Sequence, residues 1–126
     1  MRSQRIFILS PHTLLARGIE LLLRGRSVFR VVGTETSIPT GIERIYRLHP
    51  DVVILGNGQE SPVSLEDVSS VFRVSPGTAV IVLRPGDNLL HVYQDEEVTV
   101  ANVEDLVQAI RRIGQPRPRT LRRWSS

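Results

Sequence analysis

The sequence predicts an α/β domain in which helices cover both faces of a parallel sheet. Short apolar runs alternate along the chain with segments whose apolar residues recur at helical spacing, a pattern typical of βαβ units. The predicted strands 52–55 and 78–83 are almost entirely apolar, as strands buried on both faces are. Turn residues such as Pro76 and Gly77 separate the segments.

The first half of the chain supplies three predicted strands and two predicted helices. Apolar runs predict strands at 5–9, 28–32 and 52–55. Pro39 near its first turn and Pro50 after its end delimit the second helix. The apolar stripes of the two helices comprise Leu14, Leu15, Gly18, Ile19, Leu21, Leu22 and Leu23 in the first, and Ile42, Ile45, Tyr46 and Leu48 in the second.

The second half adds two helices and a segment that admits two interpretations. Ser64 followed by Asp67 predicts a helix start, and the last helix carries an apolar stripe from Val103 to Ile113 before Gly114. Residues 89–93 fit a short helix or a strand that pairs with 97–101. Their β-branched and aromatic side chains favour the β-hairpin.

Composition limits the class of protein. At 126 residues the chain forms one domain, and the absence of cysteine excludes disulfides and thiolate metal sites. Its apolar runs are far shorter than the ~20 residues that span a bilayer. We therefore expect a cytoplasmic protein with no membrane partner. We expect residues 1–114 to form the domain and residues 115–126 a flexible basic tail.

The basic end of the chain is a candidate contact surface. All 16 basic residues of the chain are arginine, and residues 111–126 contain no acid. Arginines near a tryptophan suit contacts with nucleic-acid phosphates and bases, or with an acidic protein face. A solvated terminus without a partner is the favoured interpretation. The candidate residues are Arg111, Arg112, Arg117, Arg119, Arg122, Arg123 and Trp124.

Several segments, in order, resemble the receiver domains of bacterial response regulators, in particular those of the LuxR/NarL type. Residues 9–18 are similar to the family's opening, in which two acids precede His-Pro-Leu. Residues 49–55 (His-Pro-Asp-Val-Val-Ile-Leu) are similar to the run that precedes the phosphorylated aspartate, and 104–113 resemble the last helix. The resemblance spans residues 4 to 114.

The resemblance implies a flavodoxin-like (CheY-like) three-layer sandwich with a five-stranded parallel sheet. In it, a β-hairpin around 89–101 would replace the fourth helix. It also implies that phosphorylation is read out on the face built from the fourth helix, the fifth strand and the last helix.

The chain departs from the family at each position that carries the chemistry. Ser10 and Pro11 stand where two acids would hold Mg²⁺, and Gly56 stands where the phosphoacceptor aspartate is expected. Arg84 replaces the Thr or Ser that would bond the phosphoryl group, and Thr99 aligns with the family's lysine. We therefore predict a degenerate phosphorylation pocket, no catalytic residue, no metal, no cofactor and no enzymatic activity.

Other catalytic arrangements find little support in the sequence. The three histidines are scattered without the spacing of a metal site. Ser10 and His12 lie too close on one turn to face each other as a hydrolase pair, and no oxyanion motif follows them.

The sequence thus predicts a pseudo-receiver: a signalling or scaffold module that acts through protein–protein contacts. We expect a homodimer through 85–101 or the last helix. One alternative is a weak regulator that binds nucleic acid through the arginine-rich tail. Another is a sensor of a small anion at Arg84, although Arg84 is more simply expected to reach solvent or to pair with Glu35 or Glu60.

Overall fold

The computed structural model describes residues 3–56, 64–84, 86, 88–94 and 97–113. The predicted loop after Gly56 (57–62) and the predicted tail 115–126 lie outside these ranges, and so do Arg117, Arg119, Arg122, Arg123 and Trp124. Within the described part of the chain, no helix combines the length and apolar character that crossing a membrane requires.

The described residues form six strands and four helices in an order close to the predicted one. The strands are β1 (Gln4–Leu9), β2 (Phe29–Glu35), β3 (Val52–Gly56), β4 (Ala79–Arg84), β5 (Leu89–Gln94) and β6 (Glu97–Asn102). The helices are α1 (Thr13–Leu23), α2 (Ile38–Leu48), α3 (Leu65–Val74) and α4 (Leu106–Ile113), the last preceded by a 3₁₀ turn at Val103–Asp105.

The six strands form one mixed sheet in the order β2-β1-β3-β4-β5-β6. The first four strands pair in parallel, as predicted. β5 and β6 are antiparallel to their neighbours, so the expected five-stranded parallel sheet is wrong. Only residues 85–88 join β4 to β5, whereas a parallel return needs about a dozen residues or more.

The predicted β-hairpin at 89–101 is confirmed, with each strand one residue longer than expected. Leu89 pairs with Asn102 and Gln94 with Glu97, and no register shift interrupts the ladder between them. The alternative of a short helix at 89–93 is wrong, because this segment contributes the fifth strand of the sheet.

Helices cover both faces of the sheet and divide the core into two layers. Ile8 and Ile81 belong to the cluster that includes α1 and α4, and Leu9 and Val82 belong to the cluster that includes α2 and α3. The stripe predicted on α1 is too wide. The helix buries Ala16, Ile19 and Leu23, a spacing that fits one helix face, and leaves Leu14, Leu21 and Leu22 exposed.

Side chains cap the three longer helices at their amino ends. His12 Nδ1 accepts a hydrogen bond from the Leu15 N–H, and Ser37 Oγ accepts one from Thr40. The capping box predicted from Ser64 and Asp67 is confirmed, with both reciprocal hydrogen bonds present. These caps fix where each helix begins relative to the strand before it.

A buried chain of hydroxyl groups ties the start of β4 to the end of α2. Thr78 donates to the Pro50 carbonyl oxygen at 2.7 Å, and Ser75 Oγ lies 2.6 Å from Thr78 Oγ1. Because the single hydroxyl proton of Thr78 goes to Pro50, Ser75 must donate to Thr78. The His49 Nδ1, 3.3 Å from Ser75 Oγ, is then the donor at the end of the chain.

We expect Thr78→Val to lower the free energy of unfolding by roughly 1–3 kcal/mol, because it leaves the buried Pro50 carbonyl and the Ser75 hydroxyl without their partner. Urea denaturation measures the change. Thr78→Ser keeps the hydroxyl group, so its free energy of unfolding should fall clearly less than that of Thr78→Val. A Thr78→Val variant as stable as the natural chain would show that the hydrogen-bond chain does not contribute to stability.

Candidate functional site

The candidate site lies where β1 and β3 end side by side at the carboxyl edge of the sheet. This edge is where open α/β sheets bind ligands. Leu9 is the register partner of Leu55, so Ser10 and Gly56 come next to each other one step further along. Both residues are buried, and Ser10 has no exposed surface. The structure therefore brings together two of the five predicted pocket residues.

Local hydrogen bonds occupy the polar groups of the turn after β1. Ser10 Oγ accepts a hydrogen bond from the His12 N–H at 3.1 Å, and the Ser10 N–H donates to the Glu35 carbonyl at 2.9 Å. The His12 ring nitrogen caps α1 through Leu15, 3.2 Å away. Ser10 and His12 thus serve the backbone of this turn and the helix start rather than each other.

The space beside Gly56 is already filled. A Cβ atom on Gly56 would lie 2.7 Å from Leu15 Cδ2 and 2.8 Å from Ser10 Oγ. Both distances are shorter than real Cβ contacts, so Leu15 and Ser10 would have to shift to admit a side chain here. In this structure they pack over the position at which the resemblance expects a phosphoacceptor.

Arg84 and Thr99 do not join this pocket. Strand alternation puts Arg84 on the sheet face of Val80 and Val82, which α2 and α3 cover, whereas Gly56 contacts Leu15 of α1 on the other face. Arg84 is half-buried, and its Nε has no acceptor among the described residues. Thr99 is exposed on β6, three strands from β3, which is about 14 Å at ordinary strand spacing.

The donor set does not fit a magnesium ion. Mg²⁺ prefers hard oxygen ligands, usually with one or two carboxylates. Pro11 and Gly56 offer no side-chain ligand, and Ser10 Oγ is a neutral hydroxyl bonded to His12. Across the described residues, no three His, Asp or Glu side chains gather as a metal site would require.

Glu35 pairs with Arg44 rather than with Arg84. Its carboxylate lies 3.3 Å from Arg44 Nη1 and accepts hydrogen bonds from the N–H groups of Thr36 and Ser37. The Ser37 N–H, aided by Arg44, lowers the pKa of Glu35 from its ordinary value. The suggested Arg84–Glu35 pair is therefore wrong, and Glu60 lies outside the described residues.

Two residues that shape this region are absent from the candidates named from the sequence. Leu15 was assigned only to the helix core, and Arg44 was assigned no role. One signal was available for Leu15: a glycine at the end of a buried strand marks a place where other atoms approach closely. Arg111 and Arg112, named for the tail, lie exposed in the last turn of α4.

Comparison with known proteins finds relatives that share the architecture. No protein-family model matches the chain. A protein-glutamate methylesterase/protein-glutamine glutaminase 2 from Methanosarcina acetivorans is 27% identical over 100 residues. That match covers 79% of this chain, and the chain spans about a quarter (26%) of that curated relative.

Solved structures with a similar backbone are response regulators. The signal receiver domain of NarL from Mycobacterium tuberculosis superposes with a TM-score of 0.57 at 20% identity, covering 70% of this chain and 74% of that one. RcsB in complex with DNA gives 0.59 at 21% identity, over 69% of this chain and 45% of that chain. The chain has a receiver-domain fold. The predicted resemblance is thus confirmed for the fold, with a hairpin at 89–102 between β4 and the last helix.

We expect Gly56→Ala to destabilise this receiver fold by roughly 1–3 kcal/mol, because the added methyl group overlaps Leu15 and Ser10. Gly18→Ala is the matched control, since a Cβ there meets no atom within 4 Å. That control should stabilise α1 by about 0.5–1 kcal/mol. Urea denaturation compares the two, and a neutral Gly56→Ala would show that the space is not filled.

The lowered pKa of Glu35 predicts a pH-dependent contribution to stability. A carboxylate whose pKa falls on folding stabilises the protein above its unfolded pKa and loses that effect as the pH drops through the folded pKa. Glu35→Gln should therefore weaken the fold at neutral pH, and the difference should vanish well below the ordinary value of 4.5. The difference in urea midpoint between Glu35→Gln and the natural chain, at neutral pH and at the low pH, measures this effect. Glu43→Gln, in an exposed pair with Arg47, should change little at either.

Proposed function

We propose that this chain is a pseudo-receiver: a receiver-fold domain that takes up no phosphoryl group and acts through contacts with other proteins. The observation that carries the proposal is the filled space at Gly56, where Ser10 and Leu15 occupy the place of an acceptor side chain. A single substitution could remove an aspartate. Close packing of two neighbours over the same point goes further, because it removes the cavity as well.

The chemistry of phosphoryl transfer supports the same conclusion. An acyl phosphate needs a carboxylate nucleophile, and the transfer needs a cation or other positive groups aimed at the phosphoryl oxygens. Here the nucleophile position is a glycine, Ser10 and Pro11 stand where carboxylate ligands of the cation are expected, and the chain contains no lysine. Arg84, the nearest cationic replacement in sequence, belongs to the opposite face of the sheet.

Without a covalent input, the domain can change state only through differential binding. A ligand shifts a two-state equilibrium by its difference in affinity for the two states and by nothing else. The domain is then either fixed in one state or switched by a protein partner. In either case the surface made by β5, β6 and α4 takes the place of the read-out face of intact receivers.

Neither alternative function gains equal support. The orphan Nε of Arg84 favours a small-anion site, but Ser10 and Gly56 lie on the other face and add no second donor. For nucleic acid, the described residues contribute Arg111 and Arg112 of the candidate tail surface. Esterase activity is not proposed, because Ser10 and His12 are bonded to the backbone and the chain spans a quarter of the methylesterase relative.

Incubation with a small phosphodonor and Mg²⁺ should leave the mass of the intact protein unchanged, because Gly56 cannot accept a phosphoryl group and Ser10 and Pro11 supply no carboxylate for the cation. Mass spectrometry of the whole chain gives the result, with an acceptor-containing receiver domain in the same reaction as a positive control. Gly56→Asp should also stay unmodified, since it restores one carboxylate without the cation ligands. A stable gain of one phosphate by the natural chain would refute the proposal.

A further inference from the structure

The sheet has two edges, and only one of them is protected. At the β2 edge, Arg44 Nη1 donates to the Thr34 carbonyl oxygen at 2.9 Å, and its guanidinium lies 5.2 Å from the centre of the Phe7 ring. The pairing of β2 with β1 also shifts register between Ile6 and Phe7. Charged side chains and irregular pairing are the usual means of keeping an edge from joining another strand.

The β6 edge has a regular ladder and a single charged side chain, Glu97, at its first residue. Its residues Glu97 to Asn102 include no proline and no basic residue, and its pairing with β5 is regular throughout. Val98 and Val100 are more than half exposed, at 56% and 53%. Both lie on the same sheet face as His91 and Tyr93, their partners on β5. β6 is the last strand of the sheet among the described residues, and a regular edge with exposed apolar side chains is a template for pairing.

The hydrogen-bond pattern identifies which backbone groups are open. Val103 N–H donates to the Asn88 carbonyl at 3.1 Å, just beyond the last pair of the ladder. Bonded and non-bonded pairs alternate in an antiparallel ladder, so Thr99 and Ala101 exchange hydrogen bonds with β5. Val98, Val100 and Asn102 therefore direct their N–H and C=O groups away from the sheet.

We propose that β6 pairs antiparallel with β6 of a second copy of this chain, about a two-fold axis at Thr99, to form a continuous twelve-stranded sheet. In this register Val98 lies opposite Val100 of the partner subunit, and their outward backbone groups bond to each other. The only charged side chain of the strand, Glu97, lies opposite Ala101 of the partner subunit. The strand is thus complementary to itself in backbone, in apolar side chains and in charge.

A second copy is the occupant that these observations favour over an unrelated peptide. A two-fold contact uses the same surface on both chains and closes once it forms. The protected β2 edge then prevents growth into longer sheets. The inference rests on the proposed function in that it names one protein partner. If the chain is phosphorylated, the pseudo-receiver proposal is wrong, but the proposed β6 pairing is not affected by that result.

Sedimentation velocity of the full chain over a range of concentrations tests the pairing. One six-residue strand pair is smaller than a standard interface, so we expect a dissociation constant of roughly 10–100 µM. Val98→Lys with Val100→Lys should weaken association about tenfold or more, because cations then face each other across the axis. Val98→Glu with Val100→Lys should restore it, since opposite charges then face each other between the copies.

A matched control and a backbone measurement make the result specific. Leu14→Lys with Leu21→Lys adds the same charge to the exposed leucines of α1 and should leave association unchanged. Amide hydrogen exchange at Val98 and Val100 should slow as the concentration rises, while Thr99 stays protected throughout. A natural chain that sediments as a monomer up to about 1 mM, or a dimer that only the α1 variant breaks, would overturn the proposal.

Discussion

The four residues between β4 and β5 constrain the second half of the molecule. A chain that leaves a sheet and re-enters it in parallel must cross one face, usually as a helix, and four residues cannot do so. β5 must therefore turn back against β4, and β6 then extends the sheet by a further strand. The last helix, entering from β6 instead of from a parallel strand, still packs Leu106 and Ile110 on the cluster that α1 completes. The open β6 edge is the direct consequence of this short connection.

A second constraint concerns the residues at the carboxyl ends of β1 and β3. A receiver pocket gathers several carboxylates, and like charges at short range raise each other's pKa values and oppose folding until a cation binds. In this chain the corresponding groups are a hydroxyl, a proline and a glycine. Ser10 is satisfied by His12, and Leu15 fills the volume beside Gly56. Among the described residues, Ser10 and Leu15 thus pack closely against Gly56 at this edge of the sheet.

Local patterns in the sequence predict most helices and strands, but they do not predict how these elements pack together. The apolar runs of β3 and β4, the capping box at Ser64 and the hairpin after Arg84 all depend on residues close in the chain. The resemblance implies a five-stranded parallel sheet, which the structure excludes because a strand directly follows the short turn before Leu89 and pairs antiparallel with β4. The filled space at Gly56 depends on contacts with Ser10 and Leu15, which lie about forty residues earlier in the chain. The glycine indicates a close approach, but no local pattern indicates which residues make it.

A domain that has no covalent switch and pairs through β6, as proposed, would have one simple mode of control. A phosphorylated domain has a state set by an enzyme, whereas a self-associating domain has a state set by its own concentration through mass action. Such control works only if the interface is weak, because a tight dimer would be fully formed at every concentration in the cell. A single strand pair with exposed valines and no aromatic anchor is of that weak kind. The short connection that makes β5 antiparallel would thereby supply a surface whose occupancy can vary, in a domain whose candidate site is packed by Leu15 and Ser10.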